Sequence, residues 1–299
     1  MDLNAFAADV GGIDRGPVTV VGGRTQWNVG GELRAVTREV RAPSGVVAHE
    51  PAELTVRVGA GTGVAELDDA LRPHAQFVAL PHRPGATVGG VLAVGHSSVK
   101  RLGQGPLRDV LLEARFVNAE GRVVKAGGPV VKNVSGFDVC RLLVGSLGTL
   151  GLIGEVVLRC RPRPDVTAWV VAEEADGGAV RQALFRPSAV LWDGTSVWVC
   201  LEGDQSDVDA ERAALAGLGT WRETDGPPSI PNAWHRHSVR PRDIPALAPP
   251  FVAEIGVGVF HAPYPPERHS PEAAALVVHR RVKAAFDPTG RLNPGRMVS

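Results

Sequence analysis

GGPVVKNVSGFDVCRLLVGSLGTLGLIGEVVL, residues Gly127 to Leu158, is the stretch whose reading decides the fold. It opens on a glycine turn and passes through a polar patch, Lys132-Asn133-Val134-Ser135-Gly136-Phe137-Asp138. A short apolar segment then leads to a glycine-dense loop, Gly145 to Gly151, and the stretch closes as the strand Leu152–Leu158. Glycine at 145, 148 and 151 leaves no side chain between the backbone and whatever lies against it. Ordering a glycine costs backbone entropy, so three in one loop indicate positive φ angles or close approach by a ligand. The structural alternative is a tight loop in a sheet-rich core.

Two similar loops lie upstream. Pro17–Val21 reads as a β-strand and runs directly into Gly22-Gly23-Arg24-Thr25-Gln26-Trp27-Asn28-Val29-Gly30-Gly31. Such a strand end suits a pyrophosphate: free N–H groups form an anion nest, and Arg24 or Thr25 can add hydrogen bonds. A hairpin turn with solvent-facing polar residues is the plainer reading. The second loop is Pro84-Gly85-Ala86-Thr87-Val88-Gly89-Gly90, continuing through a buried helical turn or two to Gly95-His96-Ser97-Ser98. His96 could hydrogen-bond a cofactor or cap a helix.

Leu54–Val58 is another strand, followed by Gly59-Ala60-Gly61-Thr62-Gly63 and an amphipathic helix over Val64–Leu71. This is no dinucleotide fingerprint, because Val64 stands where its third glycine belongs. The spacing predicts a structural strand-to-helix turn with Thr62 as the cap. Further elements are a helix over 3–10, a hairpin of Val110–Asn118 and Arg122–Ala126, and beyond Arg159 a change of composition at Arg161-Pro162-Arg163-Pro164-Asp165. From Val166 to about Phe286 the pattern gives strands at Ala168–Ala172, Ser196–Leu201 and Val252–Val259, and one helix, Ser206–Ala216. A turn-dense tail, Phe286 to Met297, closes the chain.

The chain has 299 residues, 44% of them hydrophobic, enough for one large or two smaller cores. Its formal net charge of zero, with no basic block, argues against nucleic acid as a partner. Cys140, Cys160 and Cys200 are odd in number and far apart, which reads as reduced buried thiols in a cytoplasmic protein. The N-terminus lacks the features of a signal peptide, and no apolar run approaches the ~20 residues of a transmembrane helix.

Four segments together resemble the FAD-binding domain of the vanillyl-alcohol oxidase and para-cresol methylhydroxylase (PCMH) family, especially its glycolate oxidase FAD-binding (E) subunits and D-lactate dehydrogenase-like flavoproteins. They are GGRTQWNVGG at 22–31, PGATVGGVLAVGHSS at 84–98, the stretch 121–158, and FDPTGRLNP at 286–294. The resemblance implies an α+β chain: a two-lobed PCMH-type FAD-binding domain at 1–164, a short α+β cap at 165–285, and a tail at 286–299 returning to the flavin. It implies that Gly22, Gly23, Arg24, Thr25, Gln26 and Trp27 cradle the pyrophosphate. Pro84, Gly85, Ala86, Thr87, Gly89, Gly90, His96, Ser97 and Ser98 would run beside the flavin and ribityl chain. Gly145, Gly148, Thr149, Gly151 and Ile153 would approach the adenosine half, and Asn293 would lie near the isoalloxazine.

Covalent members of the family carry a histidine in the first loop, where Arg24-Thr25-Gln26 stands, so FAD is expected to be noncovalent. The metal-binding histidine motif of the D-2-hydroxy-acid enzymes is absent, and no metal is expected. His235-Arg236-His237 is the one close histidine pair; on a strand its histidines share a face and could act as a base or ligand, or form an exposed polar patch. The implied activity is oxidation of a 2-hydroxy acid such as glycolate or D-lactate by hydride transfer to flavin N5; a cationic group would hold the carboxylate, and Arg236 or Arg240 could do so, although no motif picks either out. The alternatives are an FAD electron-relay or assembly subunit working with flavin and iron–sulfur partner subunits, and a scaffold that has lost its flavin.

Overall fold

A computed structural model of the chain describes residues 2–34, 37–128, 138–266 and 273–296. The polar patch from Lys132 to Phe137 lies outside these residues. The chain divides into two compact units, one of residues 1–98, 106–163 and 271–299, the other of 99–105 and 164–270.

The first unit is built on a five-stranded antiparallel sheet in the order Val46–Glu50, Thr55–Gly59, Leu152–Arg159, Leu111–Val117, Val123–Gly127. The strand that ends the quoted stretch is its centre. LIGEVVLR is buried at every position but the last, because it has a strand on each side and packing on both faces. Val56, Val58, Ala114, Phe116, Val156 and Leu158 point to one face and pack against the helices Val64–Leu71 and Val88–Val94. Full burial of Leu67, Leu71 and Leu92 stabilises this layer by about 1.5–3 kcal/mol per side chain. On the other face the helix Leu3–Val10, capped by Asp2, lays Phe6 and Val10 on Val117 and Leu152. Beside it runs a ladder of charge, with Arg57 bridging Glu113 and Glu155 at 3.0 and 2.9 Å.

A second, parallel pair, Val18–Val20 with Arg38–Val40, delivers the first glycine loop. The C-terminal tail joins this pair: Leu292 bridges Val18 in parallel, and Asn293 N donates to Val18 O at 2.8 Å. Asp287 and Arg291, both buried, make the return possible. Asp287 accepts from the amides of Arg291 and Leu292 and from Lys283 Nζ. The Arg291 guanidinium donates to the carbonyls of Val10, Gly11, Gly16 and Ala119 at 2.8–3.1 Å. Two of those carbonyls end the first helix, where a cation also meets the negative end of the helix dipole.

The second unit is a seven-stranded antiparallel sheet in the order Arg222–Thr224, Val166–Glu173, Ser196–Gly203, Ala189–Trp192, Val252–Glu254, Val259–Ala262, His235–Ser238. The helices Gly177–Ala183 and Gln205–Leu215 pack on one face through Val180, Leu184, Val208 and Leu215.

Three expectations are corrected. Thr62 does not cap Val64–Leu71: its hydroxyl accepts from Gly45 N at 2.8 Å, and Gly63 is the cap, its amide donating to Glu66. Val252–Val259 is not one strand, because Gly256 and Gly258 (φ 81° and 79°) turn the chain between two. Among the described residues the region after Val166 holds three α-helices rather than one. Gly177-Gly178 masked the first, which Asp176 caps, and the last, Ala273–Phe286, follows a proline-rich connector and belongs to the first unit.

Candidate functional site

The three glycine loops converge within the first unit, and their glycines are what lets them meet. A Cβ on Gly22 would collide with Thr87 Oγ1, and one on Gly23 with the carbonyl oxygen of Gly85. A Cβ on Gly95 would lie 2.6 Å from Gly145 Cα. These contacts join the first loop to the second and the second to the third. Within the third loop Gly145 and Gly148 have φ of 83° and 71°, and a Cβ on Gly151 would enter the Phe116 ring. Positive φ and close approach both hold there, with the approaching group belonging to the protein.

One open groove, with a cavity volume of about 70 Å³, takes its walls from every loop. Gly22, Thr87, Gly89, Gly90, Gly148, Gly151, Ile153 and Asn293 line it, all of them expected site residues. The remaining wall is small or aliphatic: Val20, Ala42, Ala60, Ala93, Leu147 and Leu152. No lining residue among those described is charged, so the groove is shaped for a flat, largely apolar group with polar contacts at a few points.

The first loop supplies donors. After Val21 N, which pairs with Val40 O at 2.8 Å, the next amide with a backbone partner is that of Trp27. The amides of residues 22–26 carry no hydrogen bond to any described residue. Five successive N–H groups, with Arg24 at φ 55°, form the kind of concavity that accepts an anion. Arg24 itself does not add its charge there, contrary to expectation. Its guanidinium grips the Glu39 carboxylate at 2.6 and 2.7 Å and lies 4.9 Å from the Trp27 ring, as does that of Arg296.

The second loop is held by Thr87, whose hydroxyl caps Val88–Val94, and by Gly89 N donating to Ala60 O at 2.7 Å. Gly95, not His96, closes this helix; His96 Nδ1 lies 3.3 Å from Gln26 Nε2, joining two expected site residues. Ser97 Oγ accepts from Leu107 N at 3.0 Å. In the third loop Gly145 N and Leu147 N donate to Leu92 O and Ala93 O, and Thr149 Oγ1 donates to Ser146 O at 2.7 Å. Asn293, at φ 48°, fastens the tail to this loop: its Nδ2 donates to Leu147 O, and its Oδ1 accepts from Thr19 Oγ1.

Ser146 was not singled out in the sequence. Its hydroxyl is buried and without a hydrogen-bond partner among the described residues, one position before the lining residues Leu147 and Gly148. Burying a hydroxyl unpaired costs about 1–3 kcal/mol, which a ligand hydrogen bond would offset. Five free amides, an orphaned hydroxyl and a glycine-lined wall fit a bound dinucleotide. Asp287, Arg291 and Lys283 were missed as well; FDPTGRLNP carried the signal, since Asp287 and Gly290 (φ 64°) are its turn residues.

His235, Arg236 and His237 lie on the last strand of the second unit's sheet. His237 is packed, not poised: its ring stacks on Phe260 at 4.4 Å and its Nε2 bonds Tyr264 O at 2.9 Å. Burial holds its pKa below the ordinary histidine value. His235 is exposed, and no group of three metal-ligating side chains occurs among the described residues. The three cysteines are free and buried, with burial pushing Cys140 and Cys160 to about 11 and Cys200 to about 12.

Comparison with known proteins adds to this geometry. The family described as FAD binding domain matches residues 12–127, and that described as FAD linked oxidases, C-terminal domain, matches residues 252–297. Glycolate oxidase subunit GlcE of Escherichia coli K12 is 29% identical over 95% of this chain and 93% of its own length. D-lactate dehydrogenase of Archaeoglobus fulgidus is 40% identical over 35% of this chain, which spans only 24% of that protein. Among solved structures, alkyldihydroxyacetonephosphate synthase superposes with a TM-score of 0.73 at 14% identity, covering 98% of this chain and 74% of the other. No helix among the described residues is long and apolar enough to cross a membrane.

Proposed function

We propose that the chain is a PCMH-type FAD-binding flavoprotein that holds FAD noncovalently in the glycine-walled groove and oxidises a 2-hydroxy acid as one subunit of a complex. The observation that carries the FAD site is the run of five unpartnered amides, residues 22–26, beside a groove with no charged wall. When bound, FAD supplies the two-electron acceptor; the protein's part is to bind and orient it. The amides of residues 22–26 hold the pyrophosphate, doing by backbone what Arg24 does not do by charge. Gly89, Gly90, Gly148 and Gly151 let the dinucleotide lie on the backbone, and Asn293 fixes the wall through Leu147. Among the described residues no groove-lining residue is a histidine, cysteine or tyrosine, which favours noncovalent attachment.

The 2-hydroxy acid, glycolate or D-lactate, is proposed from the activities named for the relatives. The complex is proposed because the relative aligned over nearly its whole length is itself a subunit. A cytoplasmic location is proposed from the three free, buried thiols. A second reading, an FAD-bearing relay or assembly subunit whose companions bind substrate, is favoured by the absence of a metal-ligating cluster among the described residues. Flavin in the purified chain that glycolate or D-lactate bleaches supports the first reading. Flavin that neither acid bleaches, but that a co-expressed partner subunit with substrate reduces, supports the second.

A further inference from the structure

Side chains alternate across the second unit's sheet, and its two faces differ in kind. Val190, Val197, Val199 and Leu201 meet the two helices, while Trp169, Leu191, Cys200 and Val252 form a separate cluster with Trp198 and Trp234 on the other face. The strand register puts charge on that second face. Arg236 is directly opposite His261, and His261 is directly opposite Val252. Glu254 stands two residues on from Val252, on the same side, and its Oε1 meets His261 Nε2 at 3.1 Å.

Arg236 is partly buried and makes no hydrogen bond or ion pair with any described residue. Burial pulls its pKa down, Glu254 pulls it up, and a second cation, Arg101, pulls it down again. Arg101 likewise has no ion pair among the described residues. The Glu254 carboxylate that acts on Arg236 already engages His261. A partly desolvated cation without a counter-ion is costly, and an anion that reaches it removes the cost. The Glu254 carboxylate at His261 Nε2 favours the tautomer with its proton there, which leaves Nδ1 as an acceptor.

We propose that Arg236, with Arg101 and the Glu254-anchored His261, forms a binding site for a small 2-hydroxy carboxylate on this face of the second unit. The guanidinium takes the carboxylate through paired N–H donors, a geometry planar arginine provides and lysine does not. His261 Nδ1 accepts from the hydroxyl, so the site distinguishes a 2-hydroxy acid from its unsubstituted analogue. Only the choice of carboxylate rests on the 2-hydroxy-acid reading; the unpaired cations stand without it.

Isothermal titration of the full chain with glycolate, acetate and inorganic phosphate tests the site, with flavin content read separately from the visible spectrum. Glycolate is expected to bind more tightly than acetate or phosphate. Loss of a charge-assisted pair by Arg236→Gln should weaken glycolate about ten- to hundred-fold at unchanged flavin content. Arg236→Lys should recover part of the affinity and guards against misfolding of the glutamine variant, while His261→Gln should erase the preference for glycolate over acetate. Glycolate affinity equal in the wild type and both Arg236 variants, no glycolate binding, or tighter binding of phosphate would each overturn the proposal. A colourless chain whose glycolate binding still depends on Arg236 would keep this site and sink the flavin reading.

Discussion

Gly95→Ala tests whether glycine contacts between the loops assemble the cofactor groove. Gly95 ends the helix Val88–Val94 at φ 75°, a conformation that costs an L-residue about 1–2 kcal/mol. The new Cβ would sit 2.6 Å from Gly145 Cα and 2.8 Å from Gly145 N, where ordinary contact begins near 3.4 Å. The loops must therefore part by about 0.8 Å (3.4 − 2.6), and both atoms met are backbone, which cannot swing aside. Overpacking of this kind costs about 1–3 kcal/mol, for a total of roughly 2–5 kcal/mol. Thermal unfolding with and without FAD, together with a flavin titration, separates the two ways this can appear. The melting temperature should fall by at least ~4 °C, and FAD affinity should drop wherever the loops relieve strain by separating. Gly217→Ala, where nothing lies within 4 Å of the added Cβ, is the control and should change neither. A Gly95→Ala protein with wild-type stability and wild-type FAD affinity would refute the reasoning.

Arg291→Ala removes the donors to four carbonyls in a buried site and should destabilise the chain by about 3–5 kcal/mol in chemical denaturation, with Arg291→Lys recovering only part. Asn293→Ala unfastens the tail from Leu147 and Thr19 and should cost about 1–3 kcal/mol, with a larger fractional loss of bound flavin than of folded protein. Burial alone would raise the carboxyls of Glu113 and Glu202, but Arg57 with Lys125, and Lys100 with Ser188 and Gln104, hold both below the ordinary value of 4.5. Their contribution to stability is therefore present above pH 4.5 and lost as pH falls below it, so melting curves should shift down between pH 5 and pH 3, less steeply in Glu202→Gln. With thiol pKa values of about 11 to 12, the three cysteines should react with a chromogenic disulfide reagent only after denaturant is added.

Much of the first unit was legible in the sequence because its signals are local. A strand ending in glycines, a helix with an apolar stripe and a hairpin around Ala119-Glu120-Gly121 each announce themselves within ten residues. The glycine loops announced a site, but not what fills the spaces that glycine opens. Gly22, Gly23 and Gly95 are glycine because another loop lies against them, and that contact joins residues 50 or more positions apart. Arg24 misled for the same reason. Glu39, which neutralises it, stands across a strand pair that the sequence did not reveal. Thr62 fits a cap by type and position, yet the amide of Gly45 takes its hydroxyl. In the second unit His235-Arg236-His237 drew attention as neighbours in the chain. The register instead couples Arg236 to His261 and Glu254, partners no local pattern could supply.

The visible spectrum of the purified chain, recorded before and after acid precipitation, tests the central claim most directly. Yellow protein with absorption near ~450 nm that passes to the supernatant on precipitation is the predicted result, because the groove binds FAD without covalent attachment. Protein that is colourless and stays colourless when FAD is added would contradict the account.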